Sequence, residues 1–164
     1  RGRVFALQNA ISTRPGNSEC RGGAVAMAIA LKTLKKIGIE NIEKHDQELT
    51  VKLFDYLSSN SKIDLYVSKK HLTTVIPFNI KGMNANEVAE KLNIVYGISV
   101  RAGSFCVYKI VRKLLNITDE TEIIKFVKAG STEKVPSLVR ASIGLCNTEK
   151  DIKRLIEAIK EITK

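Results

Sequence analysis

The sequence predicts an α+β fold in which helices cover a small, mainly antiparallel sheet. Two patterns carry that expectation. Stretches near 63–67, 73–80, 97–102 and 138–145 alternate apolar and polar residues, which is the period of a half-buried strand. The segments between them repeat apolar residues at helical spacing. Composition agrees: 44% hydrophobic and 27% charged residues is ordinary for a globular protein, and no apolar run reaches the length of a membrane span. At 164 residues the chain can form one ordinary domain, or a small domain plus a segment of another. The second organisation is expected, with the small domain at 37–164. The chain opens on Arg1 rather than methionine, which reads as a fragment or a processed product.

Taken in order, residues 1–22 hold Gly2, Pro15, Gly16 and Gly22 among polar residues and read as extended or irregular backbone. The run Ala24-Val25-Ala26-Met27-Ala28-Ile29-Ala30-Leu31 is apolar nearly all round, so a helix over 23–36 is expected, buried on most faces and stopped by Gly38. A segment of that kind needs a surface outside the small domain. The next helix is predicted from Ile39 to Ser58, with Ile42, Leu49, Leu53, Tyr56 and Leu57 on one stripe. Ile63, Leu65 and Val67, then Ile76, Phe78 and Ile80, predict an antiparallel hairpin; Pro77 removes an amide and points to an edge or a strand end. His71 is read as the start of the second strand.

Asn84 with Glu87 is close to a capping box for a helix carrying Val88, Ala89 and Leu92. The stretch 97–102 is read as the central strand. Between Thr118 and Gly130 another helix is expected, with Asp119 and Glu120 in its first turn and Ile123, Ile124 and Val127 facing inward. A loop over 131–136 then leads to a strand, Leu138 to Leu145. Along it Val139, Ala141, Ile143 and Leu145 face one way, and Arg140, Ser142 and Gly144 the other. Ile152, Leu155, Ile156, Ile159 and Ile162 predict a closing helix started by Asn147 or Thr148.

The chemistry centres on Gly97 to Cys106. Ile98, Val100 and Ala102 alternate with Ser99 and Arg101, and Gly103 permits a sharp turn. Val107, Ile110, Val111, Leu114 and Leu115 follow at helical spacing. Cys106 is therefore placed in a first helical turn, where free amides and the helix dipole favour a thiolate. The plainer reading of Cys106 is a small buried hydrophobe. Arg140, on a short strand between apolar neighbours, is either a surface strand arginine, a partner in an ion pair, or a bidentate donor for a substrate carboxylate. Arg101 either adds positive potential near the thiol or is structural. His45 and His71 have no metal-ligand spacing and read as structural, so no metal site is expected.

Val100-Arg101-Ala102-Gly103-Ser104-Phe105-Cys106 resembles the Arg-x-Gly-x-x-Cys segment of cysteine desulfurases and their relatives among the class V aminotransferases. Val139-Arg140-Ala141-Ser142-Ile143-Gly144-Leu145-Cys146-Asn147-Thr148 is similar to that family's Val-Arg-x-Ser-x-x-x-Tyr-Asn-Thr signature. The resemblance covers about residues 16 to 162 and implies the C-terminal small domain of a pyridoxal-phosphate (PLP) enzyme, with 1–36 belonging to its large domain and linker. It implies that Cys106 is catalytic, taking sulfur from a PLP-bound cysteine as a persulfide, and that Arg140 binds the substrate carboxylate. Cys146, at a position usually aromatic in the family, is expected in the core.

Residues 14–19 loosely resemble the Gly-Thr-Pro-Asn segment by which one subunit of these dimers reaches the cofactor phosphate of the other. That resemblance makes Thr13 and Ser18 the cofactor-binding candidates. The family's Schiff-base lysine follows a histidine, and this chain has no His-Lys dipeptide, so it is not expected to hold PLP alone. The full protein is then expected to be a homodimer passing sulfur to a protein acceptor. A class V aminotransferase or lyase acting on another amino acid, with an idle Cys106, is the alternative.

The net charge of +10 leaves a third reading, a basic binding module without enzymatic activity. Its 27 basic residues are spread among the helices rather than gathered with aromatics, which argues against nucleic acid as a partner. Cys20, Cys106 and Cys146 form no Cys-x-x-Cys pair, and one stays unpaired under any disulfide scheme. A reducing cytoplasm is the expected location, with no membrane partner.

Overall fold

In the computed structural model, residues 18–119, 121–128, 130 and 135–164 are described. The chain divides into two units, residues 1–43 and 44–164. In the first, helix α1 (Ser18–Ile37) closes on Gly38, whose φ of +94° suits a residue without Cβ. Helix α2 (Ile39–Ser59) starts there and continues into the second unit. Val25, Ile29 and Leu31 of α1 are about 60% exposed.

The second unit is built on a four-stranded sheet of β1 (Ile63–Leu65), β2 (Val75–Ile80), β3 (Arg101–Gly103) and β4 (Leu138–Ser142), in the order β1-β2-β4-β3. Every neighbouring pair is antiparallel. Alternation sets its two faces. Ile76, Phe78 and Ile80 of β2 and Val139 and Ala141 of β4 point into one apolar cluster. Leu49, Leu53 and Leu57 of α2, Val88 and Leu92 of α3 (Ala85–Tyr96), and Ile152, Leu155 and Ile159 of α6 (Glu149–Ile162) complete it. The helices therefore cover one face, as the sequence pattern expects. Their ends are closed by side chains. Asn84 accepts from the Asn86 amide at 2.9 Å, and Thr148 and Asp151 form a capping box on α6.

Several local expectations are corrected. Pro77 lies in β2, an interior strand, not at an edge. Its carbonyl accepts from the Tyr66 amide at 3.1 Å, so its missing N–H also faces β1, at the rung where that strand's ladder ends. The stretch read as the central strand is instead an edge, hydrogen-bonded only over β3, although Ile98, Val100 and Ala102 are half-buried and Ser99 and Arg101 exposed as the alternation requires. His71 ends a 3₁₀ turn, Lys69–His71, before β2.

β4 stops at Ser142 because a turn follows: Asn147 N–H donates to Gly144 O at 2.8 Å, and Asn147 Oδ1 accepts from Gly144 N–H at 2.9 Å. Leu145 and Cys146 occupy its two corners. Cys146 is exposed, not in the core. Helix α5 spans Thr121–Lys128. Asp119 lies before it, accepting from the Thr121 amide at 2.8 Å, and Ile124 is 47% exposed rather than inward. Ile123 and Phe126, three apart, are its half-buried pair. Glu120 and the Val127 side chain lie outside the described residues.

Candidate functional site

The face of the sheet opposite the apolar cluster carries two of the three central candidates. Because Val139 and Ala141 of β4 point into the core, Arg140 between them projects from the opposite face. The β3–β4 register sets Arg101 directly across from it, so both guanidiniums share that face. Arg140 is half-buried and Arg101 exposed. Among the described residues, neither forms an ion pair, and Arg140 Nε is buried without a hydrogen-bond partner. An unpaired buried donor costs about 1–3 kcal/mol, and like charges directly opposite also destabilise. A planar anion such as a carboxylate would remove both costs by accepting from the guanidinium fork.

The third candidate sits in the turn beside that pair. Gly103, with φ of +136°, ends β3, and Ser104 O then accepts from Val107 N–H at 2.9 Å. Phe105 and Cys106 occupy the two central positions with φ of 54° and 60°. Both are in the left-handed region that costs ordinary residues about 1–2 kcal/mol each. The two positive φ values in succession are the mark of a type I′ turn, whose usual residues are asparagine and glycine. Helix α4 (Tyr108–Leu114) begins only after Val107. Cys106 therefore precedes the helix rather than lying in its first turn, and the free-amide argument for a thiolate does not apply to it. It is also not a buried hydrophobe, since its thiol is free and exposed.

Phe105 connects the two halves. The guanidinium carbon of Arg140 lies over its ring, 4.8 Å from the centroid, a cation–π contact. No periodicity marks Phe105 in the sequence. Only the strand register and the reversed turn bring it over Arg140.

The remaining candidates are not gathered here. Thr13 lies outside the described residues; so does the Ser18 side chain, although its backbone opens α1. His45 Nδ1 is 2.9 Å from Oδ1 of the buried Asp46, a local pair on α2. Among the described residues no cluster of metal-ligating side chains occurs, and no helix is long and apolar enough to cross a membrane. An open hollow of about 450 Å³ is lined by Lys109, Arg112, Lys113, Asn116, Ile117 and Thr118; Cys106, Arg101 and Arg140 do not line it.

A short antiparallel sheet with an arginine pair on the face opposite the apolar cluster and a reversed cysteine turn at its edge defines a small α+β domain. The chain belongs to the class-V aminotransferase family, whose pattern matches residues 16–155. It is 31% identical over 139 residues to a probable cysteine desulfurase of Staphylococcus aureus (strain Mu50 / ATCC 700699), a match covering 84% of this chain and 29% of that protein. A probable cysteine desulfurase of Methanothermobacter thermautotrophicus is 28% identical over 140 residues, covering 85% of this chain and 31% of that protein. Among solved structures, the apo cysteine desulfurase of Thermococcus onnurineus NA1 superposes with a TM-score of 0.70 at 22% identity, over 87% of this chain and 31% of that one. That last likeness is one of fold. The chain spans under a third of the length of these relatives.

The family depends on PLP. The donor chemistry described here fits the substrate end of such a site. Two guanidiniums, one with a buried unpaired N–H, suit the carboxylate of an amino acid.

Proposed function

We propose that this chain is the C-terminal part of a PLP-dependent cysteine desulfurase and does not act alone. Residues 37–164 form its small domain; residues 1–36 belong to the large domain and linker, which would cover the exposed apolar residues of α1. The observation that supports the reading is the contact of Arg140 with Phe105, which brings a guanidinium suited to a carboxylate against the residue next to an exposed cysteine. The names of the relatives add the substrate class.

Arg140 holds the carboxylate of L-cysteine through its N–H fork, and Arg101 adds positive potential on the same face. Thr13 and Ser18 would hold the phosphate of the cofactor bound by the other subunit of a homodimer. Bound PLP would supply the electron sink that weakens the substrate's C–S bond. Cys106, as thiolate, donates a lone pair to the substrate sulfur. The new S–S bond forms as the C–S bond breaks, the carbon skeleton keeps that electron pair and takes a proton, and alanine leaves. Cys106 is left as a persulfide, whose outer sulfur passes to a protein acceptor in the cytoplasm. An exposed turn serves that hand-over better than a buried position does.

One observation favours a second reading, a class-V aminotransferase or lyase with an idle Cys106. The cysteine lies ahead of α4, without the helix amides that would activate it. The two readings separate in the full-length protein loaded with PLP. In the desulfurase, Cys106→Ser abolishes sulfide release from L-cysteine, and Arg140→Met raises KM by about tenfold or more, as loss of a charged hydrogen bond does. Unchanged turnover in Cys106→Ser would leave the aminotransferase reading.

A further inference from the structure

We propose that Phe105 is a positioning residue: its ring, stacked on Arg140, holds the turn that carries Cys106, so that the carboxylate-binding arginine and the thiol move as one unit. The purpose of this coupling rests on the desulfurase reading, but its test does not.

Phe105 and Cys106 both adopt positive φ, 54° and 60°, where neither has an intrinsic preference, and the hydrogen bond from Val107 N–H to Ser104 O closes the turn around them. A strained turn persists only where its surroundings hold it. Cys106 is exposed and offers no such support; Phe105 is half-buried, with its ring on the Arg140 guanidinium. Arg140 is in turn fixed by β4, paired with β2 through Pro77 and with β3 through Arg101. The line of support therefore runs from the sheet through Arg140 and Phe105 to Cys106.

The same contact leaves Arg140 available to a ligand. An arginine can stack its face on an aromatic ring while its N–H fork remains free for a carboxylate. A substrate carboxylate bound to the fork would fix the guanidinium, the ring above it and the turn beyond. Binding at one end of the substrate thereby orders the thiol meant for the other end.

Amide hydrogen exchange of this chain, without cofactor or substrate, tests the coupling. The Val107 amide reports the Cys106 turn, and the Asn147 amide, which closes the Gly144–Asn147 turn, is an internal standard. Phe105→Ala and Arg140→Met should each speed Val107 exchange by about fivefold, the factor that a contact of about 1 kcal/mol sets. The double variant should go no further than either single one, and Phe105→Tyr should keep the original rate. Asn147 should not change in any of them. Phe105→Leu, which keeps the bulk and loses the ring, gives the same reading if the alanine variant folds poorly. An unchanged Val107 rate in Phe105→Ala or Phe105→Leu, effects that multiply in the double variant, or no rescue by tyrosine would overturn the proposal. None of these outcomes bears on whether Cys106 carries sulfur, which Cys106→Ser in the loaded enzyme decides separately.

Discussion

Arg101 and Arg140 stand directly opposite each other across the β3–β4 ladder, two positive charges without an ion-pair partner among the described residues. Opposed like charges on a sheet are unfavourable, so Arg101→Thr should stabilise the chain by about 0.5 kcal/mol. The gain should shrink as salt screens the pair. Melting temperatures at low and high salt measure it; a loss of stability at low salt would mean that Arg101 has an attractive partner.

The apolar cluster and helix α1 should respond differently to truncation. Phe78 is fully buried between the sheet and the helices, and Phe78→Ala should cost about 3–5 kcal/mol in denaturant unfolding. Val25 and Ile29 of α1 are each 60% exposed, and Val25→Ser or Ile29→Ser should change the stability of this chain by less than about 0.5 kcal/mol. In the full-length protein the same two substitutions should become costly. Equal effects in both contexts would count against a large domain packed on α1.

The start of α6 predicts an acid response. Asp151 accepts from the Thr148 amide at 2.7 Å and from its hydroxyl at 2.9 Å, and these bonds hold its carboxyl below the usual aspartate value of 3.8. Glu149, beside Lys52 and Lys153, is likewise held below 4.5. A carboxylate whose pKa is lower in the fold stabilises at pH above its unfolded value, and that contribution disappears as pH falls through the folded value. Acid unfolding followed by circular dichroism should therefore be less steep below pH 4 in Asp151→Asn than in the parent chain. Identical acid profiles would remove the capping box as a source of pH dependence.

Cysteine labelling tests the two turns. Cys106 and Cys146 are both free and exposed, so iodoacetamide should modify both in the folded chain, and denaturant should add little to either rate. Slow labelling of Cys146 that denaturant relieves would return it to the core, where the family position implies it lies.

The fold was legible where a pattern repeats, and the errors fall where a pattern ends. Alternation in β2 and β4 and helical spacing in α2, α3 and α6 each commit several residues to one face, so the sheet, its covered side and its closing helix could all be read. The family position implies a core place for Cys146, but the Asn147 side chain closes a turn with Gly144 and leaves Cys146 at its corner, a turn decided by two hydrogen bonds. Pro77 was misplaced because the sequence does not say which neighbour its missing amide faces. At the site, Arg140, Arg101 and Cys106 stood out by residue type and family motif. Phe105 did not, because its role depends on strand register and on a left-handed turn that its residue type gives no reason to expect.

The desulfurase reading stands or falls on where the sulfur goes. The full-length protein, loaded with PLP, would be given L-cysteine, trapped with an alkylating agent and mapped by peptide mass. One added sulfur atom is expected on the peptide carrying Cys106, with none on those carrying Cys20 or Cys146, and it should disappear in Cys106→Ser. Added sulfur on another cysteine, or turnover of L-cysteine with no persulfide on Cys106, would contradict it.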